Sequence, residues 1–285
     1  MDAAPHDRAE EVAPGVARLL ADNPSPFTFT GTQTYLIGTR EVAVIDPGPD
    51  LEAHVEAILA ATRGRRIAAI LCTHTHRDHS PASRPLAAAT GAPIVGCAPL
   101  AIDDEGPRAD AAFDFDYRPD RVLGEGERLE GEGWALDAVA TPGHTSNHLC
   151  FALAGTGILF TGDHVMGWST TVVSPPDGDM TLYMESLDRL RVRDDRLYLP
   201  AHGPAVDNPQ AHVRALVGHR RMREKQIIAR LEAGEGRISA MVEAMYREVD
   251  PRLHPAAARS VLAHLIDLER RGLVRSEGEE WALAG

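Results

Sequence analysis

Thr73-His74-Thr75-His76-Arg77-Asp78-His79 is the stretch of sequence that decides the fold, and it directly follows an apolar run at residues 67–72. It brings three imidazole groups and one carboxylate into six consecutive positions, in the order H-x-H-x-D-H. Imidazole suits zinc, copper, iron and nickel, and a carboxylate can join it or bridge two ions. Packing alone explains the stretch poorly, since it would bury four polar groups without obvious partners. The pattern therefore predicts a metal site at the end of a β-strand.

Three more potential metal ligands each follow a short strand-like segment further along the chain. His144 comes after residues 134–140, Asp163 after an apolar run that ends at Phe160, and His202 after a run that ends at Leu199. A glycine stands next to each of these ligands, and glycine turns the chain at the end of a strand. Strand ends at one edge of a sheet can gather side chains that are distant in sequence. These residues are where a site for two metal ions would need them.

The order of these motifs resembles the metallo-β-lactamase fold superfamily of hydrolases. The turn Asp46-Pro47-Gly48, which follows an apolar segment, is similar to the first motif of that superfamily, and the other motifs follow in the same order. The resemblance is strongest to the branch of β-lactamase-like protein 2, which includes an endoribonuclease and carries a C-terminal winged-helix domain. It extends from about Gln33 to Pro204 and continues into the C-terminal part of the chain.

The resemblance implies that seven side chains hold two divalent metal ions. The set is His74, His76 and His144 for the first ion, Asp78, His79 and His202 for the second, and Asp163 as a bridge between the two. Zinc is the expected metal, because the ligands are nitrogen and oxygen atoms and no cysteine belongs to the set. Manganese and iron stay open, because geometry and availability also decide which metal a site holds.

This ligand set implies a hydrolase in which a hydroxide attacks the substrate. Two cations about 3.5–4 Å apart can share a water molecule and lower its pKa from about 15.7 toward neutrality. One cation would also stabilise the charge that develops on the carbonyl or phosphoryl oxygen under attack. Asp78 would be the catalytic residue, because it would orient the hydroxide and could receive its proton. Asp46 would stand behind the ligands and fix the loop that carries them.

Two further histidines lie close to the predicted ligands in the sequence but are not expected to bind metal. His148 begins the apolar segment 149–153 and is interpreted as a packed strand residue. His164 directly follows Asp163, and neighbours in an extended segment point to opposite faces, so the two should not bind the same ion.

Apolar patterns in the first two thirds of the chain predict alternating strands and helices. The predicted strands cover residues 12–20, 32–38, 41–45, 66–71, 92–96, 127–129, 135–140, 148–153, 157–161 and 196–199. Helices are predicted at residues 51–61, with Asp50 as the N-cap, at 81–90, stopped by Gly91, and at 180–192. Residues 98–120 are predicted to be a loop. The patterns alone indicate a mixed α and β protein, and the resemblance implies the α+β class with a four-layer αββα sandwich.

After His202 the sequence changes to helices followed by a hairpin. The pattern predicts helices at residues 209–232, 239–249, capped by Ser239, and 255–271, then a two-stranded wing from residues 273–275 and 281–283. Three helices and a hairpin make a winged-helix module, similar to the one in the β-lactamase-like protein 2 branch. The predicted domains are residues 1–218, a metallo-β-lactamase-like catalytic domain, and residues 219–285, a winged-helix-like domain.

The charge of this module argues against duplex DNA as its partner. Residues 219–285 contain 12 basic and 11 acidic residues, whereas the whole chain has a net charge of −13. The dense basic face that neutralises DNA phosphates is therefore missing. We expect the module to pack on the catalytic domain or to line a substrate groove. The alternative is a winged-helix DNA-binding regulator whose other domain senses metal.

The substrate stays open between two kinds of reaction. The branch implies cleavage of phosphodiester bonds in single-stranded RNA, which is the leading expectation, although an acidic chain repels a polyanion at long range. Glyoxalase-II-type enzymes share all seven ligands, so a small-molecule thioester or ester is the alternative. Trp168, Ser169 and Thr170 follow Asp163 closely and are the candidate substrate-binding residues. Trp168 could stack on a base or cover an acyl group, and a place in the core is an equally open interpretation.

Composition indicates an ordinary globular protein, with 44% hydrophobic and 25% charged residues in 285. No apolar stretch approaches the roughly 18 residues that span a membrane, and residues 1–13 lack the apolar core of a signal peptide. Cys72, Cys97 and Cys150 are too few for a disulfide framework and indicate a reducing compartment. We therefore expect a cytoplasmic protein, and the sequence leaves a homo-oligomer open.

Overall fold

The first of two facing β-sheets contains seven strands that follow one another in chain order. In the computed structural model, which describes residues 5–101 and 113–285, they are β1 (Glu10–Ala13), β2 (Val16–Leu20), β3 (Gln33–Ile37), β4 (Glu41–Ile45), β5 (Arg66–Cys72), β6 (Ile94–Gly96) and β7 (Arg121–Val122). Strands β1 to β4 pair antiparallel, and β4 to β7 pair in parallel. Strands in the parallel half are covered on both faces, which explains why β4 and β5 are almost continuously apolar.

The second sheet contains five strands. They are β8 (Arg128–Gly131), β9 (Trp134–Ala140), β10 (Leu149–Leu153), β11 (Ile158–Gly162) and β12 (Leu197–Pro200), in the spatial order β12-β11-β10-β9-β8. Only the pairing of β11 with β12 is parallel. Side chains from both sheets form the central core, where the rings of Tyr35 and Phe160 lie 5.1 Å apart between their centroids. Burying a side chain of this size contributes roughly 1.5–3 kcal/mol, so this core holds the two sheets together.

Helices cover the outer face of each sheet. The first sheet carries α1 (Glu52–Ala61) and α2 (Ser83–Thr90), through buried residues such as Ile58 and Leu86. The second sheet carries α3 (Met180–Arg191) and α4 (Pro209–Glu232), through buried residues such as Leu187 and Val213. The layers are helix, sheet, sheet, helix. The predicted α+β class and the αββα sandwich are therefore confirmed.

The C-terminal part has a small hydrophobic core of its own. The end of α4 packs with α5 (Ile238–Met245), α6 (His254–Arg270) and the hairpin of β13 (Val274–Glu277) and β14 (Glu280–Leu283). This arrangement of helices and hairpin is the predicted winged helix. Helix α4 runs without a break across residue 218, and the domain boundary near that residue stays a prediction.

One face of α6 is turned toward the two-sheet sandwich. Thr181 Oγ1 donates a hydrogen bond of 2.6 Å to Asp267 Oδ1, Arg270 forms an ion pair with Asp179, and Arg259 Nε donates to Ser174 Oγ over 3.3 Å. In a helix-turn-helix built from α5 and α6, α6 is the helix that would enter the major groove of DNA. Here part of its surface is already packed against protein.

Two predicted features at the ends of elements are wrong. Asp50 does not cap α1, because the chain stays extended through Leu51, which occupies the cap position without a side-chain hydrogen bond. Ser239 does not cap α5 either, because the helix begins one residue earlier and Arg237 stands at the cap. Arg237 instead forms an ion pair with Glu280, which ties the start of α5 to the wing.

Other predicted elements differ in extent. The single strand predicted at residues 12–20 is the hairpin β1–β2, turned at Gly15 with a φ of +71°. The helix predicted to reach residue 249 ends at Met245. The loop predicted at residues 98–120 lies partly outside the described residues, since 102–112 are not described, and residues 1–4 of the N-terminal segment also lie outside them. Within the described ranges, none of the helices is both long and apolar enough to cross a bilayer.

Candidate metal centre

All seven predicted metal ligands follow the C-terminal ends of strands, and the fold brings these ends together. Four of them follow β5, and the others follow β9, β11 and β12. The ligand atoms form two groups, in each of which they lie within 4.8 Å of one another. The first group is His74, His76, His144 and Asp163, and the second is Asp78, His79, Asp163 and His202. Asp163 belongs to both.

Gly162 allows this close approach of strand ends. It has a φ of +49°, and a Cβ atom at this position would lie 2.7 Å from His148 Nε2 and 2.8 Å from Thr73 Oγ1. Both distances are too short for any residue other than glycine. The end of β11 can therefore pack directly against the end of β5, which places Asp163 beside the histidines.

Three imidazole nitrogens converge in the first group. His76 Nδ1 lies 2.9 Å from His74 Nε2 and 3.1 Å from His144 Nε2. Asp163 Oδ2 lies 3.6 Å from His144 Nε2. Ligand atoms around a tetrahedral zinc ion with bonds of about 2.0–2.1 Å are roughly 3.3–3.4 Å apart. The spacing of this group fits one such ion.

The second group has similar spacing and more negative charge. His202 Nε2 lies 3.2 Å from Asp78 Oδ2 and 3.3 Å from Asp163 Oδ1. His79 Nε2 lies 3.4 Å from Asp78 Oδ2 and 3.5 Å from Asp163 Oδ2. Two imidazoles and two carboxylates thus face a common point, with Asp163 presenting its oxygens to both groups.

Several of these atoms are buried without a hydrogen-bond partner among the described residues. They include His79 Nε2, His202 Nε2, Asp78 Oδ1 and Asp163 Oδ1. The contacts of 3.2–3.5 Å between the Nε2 atoms of His79 and His202 and the carboxylate oxygens are ion-pair contacts and not hydrogen bonds. Buried polar atoms are almost always satisfied, and leaving charged ones unpaired is costly. A divalent cation in each group would satisfy them, so the residues fit a pair of metal ions.

The electrostatics of the site follow from this packing of carboxylates against imidazoles. Burial opposes charge on His202, but Asp163 and Asp78 outweigh it and raise the pKa of His202 to about 10. Burial would also lower the pKa of His79, but the carboxylates of Asp78 and Asp163 outweigh burial and raise this pKa well above its usual range. The same contacts hold the pKa of Asp163 well below its usual range against the effect of burial. The carboxylates are therefore ionised and attract cations.

Asp46 supports the second group from behind. Its Oδ1 accepts a hydrogen bond of 2.8 Å from the Thr73 backbone N–H, and its Oδ2 accepts one of 2.8 Å from the Thr73 hydroxyl. The same Oδ2 lies 3.0 Å from His79 Nδ1. A carboxylate on the outer nitrogen fixes the tautomer and orientation of a metal-binding imidazole. Asp46 can thus point His79 Nε2 at the metal and anchor the start of the loop at Thr73.

Backbone carbonyl groups orient two other histidines in the same way. His144 Nδ1 lies 2.6 Å from the Val172 carbonyl oxygen, and His202 Nδ1 lies 3.2 Å from that of Gly31. In both rings the outer nitrogen faces an acceptor and Nε2 faces the centre, the arrangement usual for metal-binding histidines.

His148 and His164 lie near the centre but outside both groups of ligand atoms. His148 Nε2 accepts a hydrogen bond of 3.1 Å from the Asp163 backbone N–H, and Thr141 Oγ1 lies 2.8 Å from its Nδ1. His148 therefore holds the backbone of the shared ligand. The His164 ring packs against Tyr183, with 4.9 Å between ring centroids.

A small cavity at the ligands adjoins a larger groove between the two domains. The small cavity, of about 30 Å³, reaches His76, Asp78, His144 and Asp163. The larger one, which we call the interdomain groove, has about 340 Å³ and shares its walls Phe27, Met166 and Val172 with the small cavity. Its other lining residues are Pro26, Trp168, Ser169, Thr170, Thr171, His219, Arg220, Arg223, Tyr246, Val249, Leu253, Ala256, Ala257 and Ser260. The predicted substrate residues Trp168, Ser169 and Thr170 all line this groove.

Several functional contacts were missed from the sequence. Phe27 and Met166 form walls of the ligand cavity, and Thr171 Oγ1 donates a hydrogen bond of 2.7 Å to the Asp163 carbonyl oxygen. Arg220, on α4, reaches the carbonyl oxygen of Thr171. Met166 and Thr171 flank Trp168, Ser169 and Thr170 in the segment 166–171, which its place after Asp163 predicts to lie at the rim of the metal pocket. Phe27 and Arg220 meet the site through contacts that no local pattern predicts. The one available signal was an arginine cluster at residues 220–223 inside a helix with an apolar face.

Two family models match the chain. The model described as the Metallo-beta-lactamase superfamily matches residues 27–202, and the one described as the Beta-lactamase associated winged helix domain matches residues 238–281. The first covers every predicted metal ligand, and the second covers α5, α6 and most of the wing.

Curated relatives share about a third of their residues with the chain. The Beta-lactamase-like protein 2 homolog of Drosophila melanogaster is 33% identical over 277 residues, which are 91% of this chain and 89% of the relative. The Lactamase-like protein adaB of Aspergillus niger is 32% identical and covers 81% of this chain and 68% of its own length. The Atrochrysone carboxyl ACP thioesterase of Aspergillus fumigatus is 33% identical over 227 residues, which are 78% of this chain and 66% of the relative.

Solved structures have the same fold over nearly the whole chain. A Beta-lactamase domain protein from Burkholderia ambifaria has a TM-score of 0.79 at 23% identity and covers 97% of this chain and 93% of its own. A metallo-beta-lactamase family protein from Thermus thermophilus has a TM-score of 0.75 at 22% identity, and the match covers 96% of this chain and 100% of that protein's chain. Both matches extend through the C-terminal helices, so the two-part arrangement is shared.

Proposed function

The chain belongs to the metallo-beta-lactamase superfamily of metal-dependent hydrolases, and from this premise we propose that it cleaves a thioester or ester of an apolar acyl group. The observation that carries the proposal is the interdomain groove, which shares walls with the cavity at the metal ligands. Binding sites for small molecules are concave and mainly apolar, with a few polar groups, and have volumes of about 300–1,000 Å³. The groove has these properties.

In this proposal, His74, His76 and His144 would hold one divalent ion, Asp78, His79 and His202 would hold the other, and Asp163 would contribute to both sites. When bound, two such ions supply positive charge that polarises the scissile carbonyl and makes water more acidic. Asp46, Val172 and Gly31 keep the outer nitrogens of His79, His144 and His202 occupied. The Nε2 atoms of these rings are thereby directed inward, so the site needs little rearrangement during the reaction.

Asp78 is the proposed catalytic residue. Burial would raise its pKa, but His79 and His202 outweigh burial and hold the pKa of this carboxyl well below its usual range. Its Oδ1 makes no hydrogen bond with any described residue, and its side chain lines the small cavity. Asp78 Oδ1 can therefore accept a hydrogen bond from the attacking water and orient it toward the carbonyl carbon.

We propose zinc as the metal, because the donors are imidazole nitrogens and carboxylate oxygens. Manganese and iron are the alternatives, since ligands of these kinds do not exclude them. The proposal also places the protein in the cytoplasm. Three buried free cysteines, Cys72, Cys97 and Cys150, support a reducing compartment.

The apolar walls of the groove and the net charge of the whole chain favour an acyl substrate over RNA. Phe27, Met166, Val172, Val249 and Leu253 present apolar side chains, and the chain has a net charge of −13. A polyanion would be repelled at long range by such a chain, whereas an apolar acyl group gains about 25 cal/mol for each Å² removed from water. The Aspergillus fumigatus relative is named as an ACP thioesterase, which supports the same reaction class.

A second candidate is cleavage of single-stranded RNA. It is favoured by the long match with the Drosophila melanogaster Beta-lactamase-like protein 2 homolog, because the resemblance of the motifs to that branch implied this activity. Trp168 in the groove could stack on a base. The two candidates differ in whether the substrate is a small acyl compound or a chain of phosphates.

A role of the winged helix in reading duplex DNA is not part of the proposal. The contacts of Arg259, Asp267 and Arg270 with the catalytic domain occupy a face of α6, and residues of α4 and α6 line the groove. We propose that this module completes the substrate site. A DNA-binding regulator would instead bind random duplex tightly at physiological salt in a metal-independent way, which a gel shift would reveal.

A side-by-side assay tests the proposed reaction. The zinc-loaded protein is offered an octanoyl thioester, a bis-aryl phosphodiester, single-stranded RNA and a β-lactam, with His76→Ala as the matched control. We expect hydrolysis of the thioester by the wild type alone. If the protein cleaved the RNA and left the thioester intact, the proposal would be overturned in favour of the second candidate.

A further inference from the structure

We propose that the acyl part of the substrate carries a negatively charged group, and that Arg223 in the interdomain groove binds it. The proposal rests on the hydrolase function above, because it assigns the groove to that substrate. It goes further by naming a second recognition element besides the metal ligands.

The first observation is the charge of the groove. Among its lining residues are Arg220 and Arg223, and no aspartate or glutamate is one of them. The chain as a whole has 42 acidic and 29 basic residues, so a wall with two guanidinium groups and no carboxylate departs from the rest of the molecule. Neither arginine has an ion-pair partner among the described residues. Charge of one sign in a low-dielectric cleft concentrates the potential and attracts the opposite charge.

The second observation is the hydrogen-bonding state of these arginines. Arg220 is only 3% exposed, and Arg220 Nε and Arg223 Nε are buried without a hydrogen-bond partner among the described residues. Arg220 is committed to the carbonyl oxygen of Thr171 and to Ser260 Oγ. Arg223 uses only Nη1, which donates to Gln226 Oε1 and to the Met245 carbonyl oxygen. Arg223 therefore has free donor capacity for an anion.

The Arg223 side chain is also held in place. Its guanidinium carbon lies 4.2 Å from the centroid of the Tyr246 ring, and Tyr246 itself lines the groove. A stacked guanidinium is pre-organised, so less conformational entropy is lost for each hydrogen bond it forms. This favours a fixed binding partner over a merely solvated charge.

The two arginines also lower the pKa of His219, another lining residue of the groove. Burial, Arg220 and Arg223 together lower the pKa of His219 to about 4. His219 is therefore neutral at physiological pH, and the positive charge of this wall comes from the two arginines. A neutral His219 with a free Nδ1 adds another polar group to the same wall.

The shape of the groove indicates a small amphipathic anion. Its walls are mainly apolar apart from these groups and the hydroxyl residues Ser169, Thr170, Thr171 and Ser260. Trp168, one of the lining residues, stacks on Phe29 with 4.9 Å between ring centroids. A volume of about 340 Å³ suits one compact acyl group. A nucleic acid strand would instead need a continuous basic track for successive phosphates. We therefore assign the groove to an apolar acyl body with one anionic group.

Binding of two matched probes tests the assignment without any hydrolysis. Metal-loaded protein is titrated by calorimetry with 2-naphthalenesulfonate, an amphipathic anion that coordinates metals weakly, and with 2-naphthalenemethanol, its neutral counterpart. We expect the sulfonate to bind roughly tenfold more tightly, the typical contribution of a charge-assisted hydrogen bond. Arg223→Gln should remove this preference while binding the alcohol as the wild type does, which shows that the groove is intact.

Arg214→Gln is the matched control, because Arg214 is exposed on the same helix and is not one of the lining residues. It should keep the preference. Equal binding of both probes by the wild type, or a preference that survives in Arg223→Gln, would overturn the assignment. Displacement of the sulfonate by a uridine hexanucleotide at lower concentration would also overturn it, in favour of RNA. If the probes behave as expected but no thioester is cleaved, the proposed reaction fails and the anion site stands.

Discussion

The guanidinium group of Arg220 donates a hydrogen bond to the carbonyl oxygen of Thr171, although the two residues are 49 positions apart. Thr171 Oγ1 in turn donates to the Asp163 carbonyl oxygen over 2.7 Å, and the next carbonyl oxygen, of Val172, lies 2.6 Å from His144 Nδ1. Arg220 also donates to Ser260 Oγ of α6 over 3.3 Å. One buried side chain of α4 thus links the winged helix to the segment that supports two predicted metal ligands.

Arg220→Met should weaken metal binding. The variant loses the hydrogen bonds of a charged group, which are worth about 1.5–3 kcal/mol each, and frees the segment that holds Asp163 and His144. We expect metal affinity to fall by at least about tenfold, measured by competition with a chromophoric chelator. Arg221→Met, at an exposed position of the same helix, should bind metal normally. Wild-type affinity in Arg220→Met would contradict the link.

His76→Ala should remove metal and activity together. His76 Nδ1 lies 2.9 Å from His74 Nε2 and 3.1 Å from His144 Nε2, so it contacts both other imidazoles of the first group. Removing a residue that hydrogen-bonds to a metal ligand lowers metal affinity by up to about a hundredfold. Removing the ligand His76 itself should therefore lower metal affinity by more than that. Elemental analysis after dialysis measures the bound metal. A variant that retained two ions and full turnover would refute the ligand assignment.

Asp46→Asn should cause a smaller loss than removal of a ligand. The amide keeps the shape of the side chain, but it no longer offers a negative charge to His79 Nδ1, which lies 3.0 Å from Asp46 Oδ2. We expect metal affinity or turnover to fall by about 10–100-fold. Metal titration of the purified variant provides the measurement, and a value equal to that of the wild type would show that Asp46 does not orient His79.

His264 should make the protein less stable in acid. It is buried in α6, and burial, followed by Arg220, lowers its pKa from 6.5 to about 3. Below pH 6.5 the unfolded chain binds a proton at His264 that the folded state excludes. The contribution of a neutral His264 to the free energy of unfolding is therefore fully present above that pH and is lost as the pH falls toward 3. The slope should approach about 1.4 kcal/mol per pH unit. Thermal unfolding of His264→Leu between pH 7 and 4 should show a shallower decline, and parallel curves would contradict this role.

Trp168→Ala should lower kcat/KM for an apolar thioester. The Trp168 ring lines the groove and stacks on Phe29, and removing a large aromatic contact costs about 3–5 kcal/mol where the ring is buried in a core. The ring is only partly buried here, so we expect a loss nearer tenfold, mainly in KM. Unchanged efficiency on the true substrate would mean that Trp168 is a structural residue only.

The fold could be predicted largely from the sequence because its signals are local. Strand β4 and helix α4 have the predicted bounds, since an apolar run or a periodic apolar face is readable within one segment. The predictions failed at element ends, as with Asp50 and Ser239, where the cap depends on the direction in which the chain enters the helix. The hairpin at Gly15 was missed because a single glycine does not distinguish a turn from an irregular strand.

The sequence by itself determined the kind of chemistry, because four potential ligands sit in one loop after β5 and the spacing of their side chains is set by the chain itself. Only the tertiary structure decided how Asp163, His144 and His202 meet that loop and which outer hydrogen bonds orient the rings. It also decided that a groove with two arginines, neither of which has an ion-pair partner among the described residues, adjoins the centre. These features join residues from separate elements. They arise from packing between strand ends and between domains, and no local pattern in the chain encodes such contacts.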